Sequence, residues 1–257
     1  MHLGNGGSER LAAVASAMAP AKGIVNLEGP VGSEADARAS TASKLVNGPQ
    51  TAVALQQAGV VAAGVANNHS DDLHGATQLK GVATFGLTQI DVGGLRGVLT
   101  AHDLAHGVPL NLATDLATAR AKGDVLVATF HVTGPASYLP KPELVEAVEI
   151  ALAAGATVIA AHGTHVIASV ERRGAAVIAW GLGNLTFACA CTNETDGLVL
   201  RVDFAGDGKV GRVEVVPIDA GLHGQNAALA KDPGLTMDLL HSLGAKPALR
   251  LSDRLVF

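Results

Sequence analysis

Short runs of β-branched and apolar residues alternate along the chain with longer Ala-rich stretches in which apolar positions recur at helical spacing. The β-rich runs fall at residues 23–27, 60–66, 82–84, 125–130, 157–161 and 175–179. Between and after them, residues 9–19, 49–58, 114–121, 142–154 and 235–243 read as helices. Stacked units of this kind predict an α/β fold. Pro142 with Glu143 suits the first turn of a helix, where a missing N–H costs nothing and a carboxylate favours the dipole, and Gly155 suits its C-terminal cap. After Asn184 the pattern changes, and residues 198–204 and 210–217 around Gly206-Asp207-Gly208 predict a β-hairpin. Residues 33–43, rich in Ser, Ala and charge, predict a mobile loop. No linker or internal repeat divides the sequence, so 1–257 reads as a single domain.

Composition narrows the partners. Apolar residues make up 48% and charged residues 16%, enough for a sizeable core, and the Ala and Val content suits close packing of helices on a sheet. A net charge of -5, with one Trp, one Tyr and five Phe, provides neither a basic stripe nor a stacking platform, which argues against nucleic acid. No apolar run approaches the ~18 residues of a membrane span. Residues 11–19 superficially resemble a signal-peptide core, but Glu9 precedes them and Leu and Phe are scarce, so an amphipathic helix is expected. The expected location is cytoplasmic, or membrane-anchored or extracellular if an N-terminal anchor has been trimmed. Cys189 and Cys191, placed on a strand, would point to opposite faces; that disfavours a mutual disulfide and suits a reducing compartment. Without a second Cys pair or a nearby His they are also a poor structural zinc site.

The polar residues that follow the strand-like runs are the candidate chemistry. They are Asn26 and Glu28, then Asn67, Asn68 and His69, then His131, then His162 and His165, then Asn184. Short polar side chains on loops after buried strands face the crevice outside the sheet's carboxyl ends. Carboxylate, imidazole and carboxamide together are ligands for a divalent ion or partners in proton transfer. Each has a plainer reading: Asn67 and Asn68 are turn formers, His69 a helix cap, Glu28 a solvated turn residue, His131 a core histidine, and Asn184 a left-handed turn residue. Five strand ends carrying such residues argue against all of these at once. His74, His102, His106, His223 and His241 have no comparable setting and read as ordinary surface or loop residues. Gly181-Leu182-Gly183 is not a dinucleotide fingerprint, and neither a nucleophile elbow nor a P-loop is present.

Asn26-Leu27-Glu28, Ala66-Asn67-Asn68-His69 with Asp72, His131, Ala161-His162-Gly163-Thr164-His165-Val166 and Leu182-Gly183-Asn184-Leu185-Thr186-Phe187 form an ordered series. The series resembles the CapA family, bacterial capsule or poly-γ-glutamate synthesis proteins built on a calcineurin-like metallophosphatase fold, over roughly residues 23–218. The resemblance implies a β-sandwich flanked by helices with metal ligands on the loops at one edge. It implies that Glu28, Asn68, His131, His162 and His165 are ligands for Mn, Zn or Ca. In the same pattern His69 is the proton donor beside them, and Asp72 orients it by accepting its second N–H. Three positions depart from the family. Its N-terminal GD is represented by Gly4-Asn5, which lacks the anionic ligand and should weaken a second metal position. Its H-x-G is loosened to His131-Val132-Thr133-Gly134, and the first Gly of the histidine turn is Ala161.

Three functions remain open at this point. The first is a metal-assisted hydrolase or transferase acting on an amide or phosphate ester of a peptide or poly-amino-acid substrate. The second is a metal-independent peptide α-carbon epimerase of the kind found with lasso peptides, using facing acid/base groups such as His69 with His131 or His165. The third is a non-catalytic module binding an anionic polymer or another assembly protein, and the net negative charge weakly opposes an anionic ligand.

Overall fold

The computed structural model describes residues 1–73 and 79–257. His74 therefore lies outside the described residues. Along the chain run α1 (Ala15–Met18), β1 (Gly23–Asn26), α2 (Glu34–Arg38), α3 (Thr51–Gln57), β2 (Val60–Gly64), β3 (Ala83–Phe85), β4 (Leu87–Val92) and β5 (Leu95–Asp103). Next come α4 (Leu112–Arg120), β6 (Val125–His131), α5 (Pro142–Ala153), β7 (Val158–His162), β8 (Val170–Arg173) and β9 (Ala176–Ala179). The remainder comprises β10 (Thr186–Phe187), β11 (Asp196–Phe204), β12 (Val210–Asp219), β13 (Gly221–Leu222), β14 (Ala228–Leu229), α6 (Pro233–Ser242), β15 (Leu249–Arg250) and β16 (Leu255–Val256).

A six-stranded sheet in the order β4-β5-β6-β7-β9-β8 carries one half of the site. Its four central strands are parallel, and antiparallel β4 and β8 close its edges. Every residue of β6 is buried, because both faces of a parallel sheet are covered and its strands become continuous apolar runs. One face takes Leu126, Ala128, Phe130 and Ile159 under α4 and α5. The other takes Leu99, Val127, Val158 and Val177 against Leu198, Val213 and Val215 of the β11-β12 sheet, which makes the molecule a sandwich. Parallel β1-β2-β3 supplies the other half of the site, and its far face packs on Leu3, Leu11, Leu55 and Ile218.

The strands expected at 23–27, 60–66, 125–130, 157–161 and 175–179 all form, and so does the hairpin of β11 and β12. The strand expected at 82–84 forms one residue later, as β3. The β4-β5 hairpin lies outside those expectations. Its signal is Gly93-Gly94, both at positive φ (60° and 90°), the two-residue turn whose twist matches antiparallel strands. The helix expected at 9–19 breaks into a 3-10 turn at Ser8–Arg10 and the four residues of α1, neither with a side-chain cap at its start, and Pro20 ends the segment. Within the loop expected at 33–43, α2 is held by a capping box in which Asp36 N–H donates to Ser33 Oγ (3.2 Å) and Ser33 N–H donates to Asp36 Oδ2 (3.1 Å).

The cysteine expectation is overturned, because Cys189 and Cys191 are disulfide-bonded with Cα atoms 5.3 Å apart. They follow β10 in a bend and turn, so no strand forces their side chains to opposite faces. Among the described residues no helix is long and apolar enough to cross a membrane.

Candidate functional site

Parallel pairing sets His131 of β6 directly beside His162 of β7, both at the carboxyl ends of their strands. In-register neighbours on parallel strands share a face, so both imidazoles enter the sandwich side. Their Nδ1 atoms lie 3.1 Å apart in a hydrogen bond, one ring donating and the other accepting. Burial drives the His131 pKa well below its ordinary value, and positive charge on His162, the Met1 amino group, His165 and His69 would push it the same way. Burial lowers His162 to about 3. Both rings are therefore neutral at pH 7, the form in which imidazole ligates a metal or accepts a proton.

The turn after β7 depends on Gly163. Its φ is 99°, and a Cβ there would stand 2.7 Å from Val132 O and 2.8 Å from His131 Nε2. Only glycine combines that backbone with that approach. His165 also adopts a left-handed conformation (φ 63°), uncommon for a residue with a Cβ. Its Nδ1–H donates to Asn184 Oδ1 at 3.0 Å. The amide orientation is fixed because Asn184 Nδ2 donates to His165 O (3.3 Å) and Glu194 O (2.9 Å), leaving Oδ1 as the acceptor. Asn184 is thus the residue that selects the His165 tautomer, and it leaves Nε2 with a free lone pair.

From the other sheet, the loop after β2 brings the Asn67-Asn68-His69 run. Asn67 is structural: its Nδ2 donates to Leu27 O (2.9 Å) and Asn26 Oδ1 (3.1 Å), and its Oδ1 accepts from His69 N–H (3.1 Å). Asn68 is exposed, and no described residue hydrogen-bonds its side chain. His69 is 9% exposed and donates Nδ1–H to Asp72 Oδ2 at 2.6 Å, while the same oxygen accepts Leu45 N–H at 2.5 Å. His69 and Asp72 are therefore in direct hydrogen-bonded contact. Glu28 is 4% exposed, and among the described residues none donates a hydrogen bond to its carboxylate.

The sequence reading missed His2. It enters through a bridge to Phe187, is 1% exposed, and donates Nε2–H to Val46 O at 3.0 Å, leaving its Nδ1 lone pair buried without a partner. Burial lowers its pKa to about 4, helped by positive charge on Met1 and His69. Phe187 packs edge-on against His165 (4.9 Å between ring centres) and tilted against His2 (5.7 Å), so β10 joins the two. The Met1 amino group donates to Asn26 O at 2.9 Å and feels the charge of Glu28. By contrast, Asn5, the position compared with the family's missing Asp, is exposed and donates to Glu34 O on the surface. His106, His223 and His241 are exposed as expected. His102 is not: its Nε2 is buried without a partner, and burial lowers its pKa.

The donors suit a divalent ion in kind, with two neutral imidazoles, an unpartnered carboxylate and an exposed carboxamide. In place they do not: among the described residues no three His, Cys, Asp or Glu side chains converge as ligands of one ion. His131 and His162 bond each other instead.

Residues 100–188 match the family model of the bacterial capsule synthesis protein PGA_cap, a stretch that holds His131, His162, His165 and Asn184. Over this stretch the chain is similar to the capsule synthesis family. Two solved structures are similar to this chain in architecture. A hypothetical protein from Thermus thermophilus is 14% identical with a TM-score of 0.53, over 82% of this chain and 90% of that one. A novel phosphatase from Mycoplasma pneumoniae is 15% identical with a TM-score of 0.50, over 86% of this chain and 84% of that one. At such identities the likeness is one of fold, a sandwich of sheets with flanking helices. No curated protein matches the chain.

Proposed function

We propose that this chain is a metal-assisted hydrolase or transferase of the CapA type, acting as a single domain on an amide or phosphate ester of a peptide or poly-amino-acid substrate. The observation that carries the proposal is the His69–Asp72 pair, buried beside a neutral His131–His162 pair and an unpartnered Glu28. Glu28, Asn68, His131, His162 and His165 would hold the ion, and His2 Nδ1 is a further lone pair beside them. The chemistry a divalent ion supplies there is polarisation of a carbonyl or phosphoryl oxygen. As an imidazolium whose Nδ1–H is held by Asp72, His69 would give its Nε2 proton to the leaving group and be left as the neutral Nδ1–H ring. Binding requires His131 and His162 to exchange their mutual bond for the ion.

The test is turnover of p-nitrophenyl phosphate and of γ-glutamyl p-nitroanilide before and after chelation. Activity should vanish with chelator and return with Mn, Zn or Ca; activity surviving complete metal removal would overturn the proposal.

A second reading, metal-independent epimerisation of a peptide α-carbon, is favoured by one feature. His69–Asp72 and His131–His162 are two separate proton-handling pairs entering from different sheets. It predicts deuterium uptake from D2O at one α-carbon of a peptide substrate, and unlabelled peptide after long incubation would count against it.

A further inference from the structure

The disulfide between Cys189 and Cys191 closes a ring across a sequence separation of only two residues. Cross-links over such short loops constrain the unfolded chain least, so this one adds little to the stability of the fold. It is also accessible, since Cys191 is exposed although Cys189 is 8% exposed. Exposed disulfides are the reducible ones.

Its position ties it to the site. Cys189 follows β10, whose Phe187 packs on His165 and His2, and Ala188 N–H donates to His2 O at 2.9 Å. Three residues past Cys191, the carbonyl of Glu194 accepts from Asn184 Nδ2, and Asn184 Oδ1 in turn accepts from His165 Nδ1. Between them, Thr192 O accepts from the exposed His223 at 2.8 Å. The path from disulfide to imidazole is one loop and two hydrogen bonds.

We propose that Cys189–Cys191 is a redox modification site whose reduction by a dithiol releases the 189–194 loop, frees Asn184 and unlocks the His165 tautomer. A thiolate of the dithiol attacks the exposed Cys191 Sγ, the S–S bond breaks, and Cys189 leaves as thiolate. The dithiol's second sulfur then attacks the mixed disulfide and expels Cys191. Two electrons pass from dithiol to protein, the reductant departs as its own disulfide, and the two cysteine thiolates take up protons. This inference is independent of whether an ion binds.

The test uses full-length protein labelled with 15N-histidine, read by long-range 1H–15N correlation before and after dithiothreitol, with alkylation and mass measurement counting thiols. Oxidised protein should take up no alkyl group and show His165 as the Nδ1–H tautomer. Reduced protein should take up two groups, and the Nε2–H form should gain on the order of fivefold, the worth of one released hydrogen bond. Cys191→Ser should give the reduced spectrum without reductant. Two alkylated cysteines before reduction would overturn the proposal, and so would a His165 signal indifferent both to reduction and to Cys191→Ser.

Discussion

Buried neutral histidines make this fold sensitive to mild acid, and the size of the effect follows from the site. His2 and His131 are each 1% exposed, and burial holds both below the ordinary value of 6.5, His2 at about 4 and His131 well below 6.5. Between the folded and unfolded values the unfolded chain binds more protons, so stability rises with pH. The contribution is fully present above about 6.5 and is lost as pH falls towards 4. At pH 5 the loss is governed by the unfolded value, because the folded rings are still neutral. It comes to about 2 kcal/mol for His2. His162, lowered to about 3, loses about the same, so the two remove about 4 kcal/mol of the roughly 5–15 kcal/mol that holds a protein folded. His131 acts in the same direction. Urea unfolding with chelator present should show the midpoint falling by roughly 1 M between pH 7 and pH 5, for a slope of about 3 kcal/mol/M. Carboxylates titrate mostly below this range, and His2→Asn should remove roughly 0.7 M of the drop. An equal midpoint at the two pH values would refute the reasoning.

Asp72→Asn keeps an acceptor for Leu45 N–H but removes the charge behind the 2.6 Å bond to His69. Turnover of p-nitrophenyl phosphate should fall about 10- to 100-fold with little change in KM, as for other residues that orient a catalytic group; an unchanged kcat would remove His69 from the reaction. Gly163→Ala places a Cβ against Val132 O and His131 Nε2 at a φ of 99°. It should cost about 1–3 kcal/mol in thermal or urea unfolding, and a neutral result would mean that the turn relaxes freely.

How much the sequence discloses depends on how local each signal is. The His69–Asp72 pair lies within one turn, and the resemblance of Asn67-Asn68-His69 with Asp72 to the CapA pattern carries it. His131 and His162 occupy equivalent positions at the ends of two apolar runs, and parallel register converts that equivalence into contact. His2 carries no such signal, since it joins the site through a single bridge to Phe187, 185 residues away in sequence. The cysteine pair misleads for a related reason: alternation holds only on a strand, and residues 189–191 form a turn. The residue taken for the missing carboxylate, Asn5, donates to Glu34 O on the surface, whereas Met1 O accepts from Glu28 N–H and His2 feels the charge of His69. The β4-β5 hairpin was legible in Gly93-Gly94, whereas the segment at 9–19 has helical composition without the cap to start a helix.

Metal content tests the central claim most directly. Untagged protein would be measured by inductively coupled plasma mass spectrometry before and after incubation with Mn, Zn and Ca, alongside His162→Ala with its folding checked by circular dichroism. The account predicts near-stoichiometric retention of one ion, lost in folded His162→Ala. Retention of no ion under any of these conditions would contradict it and leave the two histidine pairs as metal-free acid/base groups.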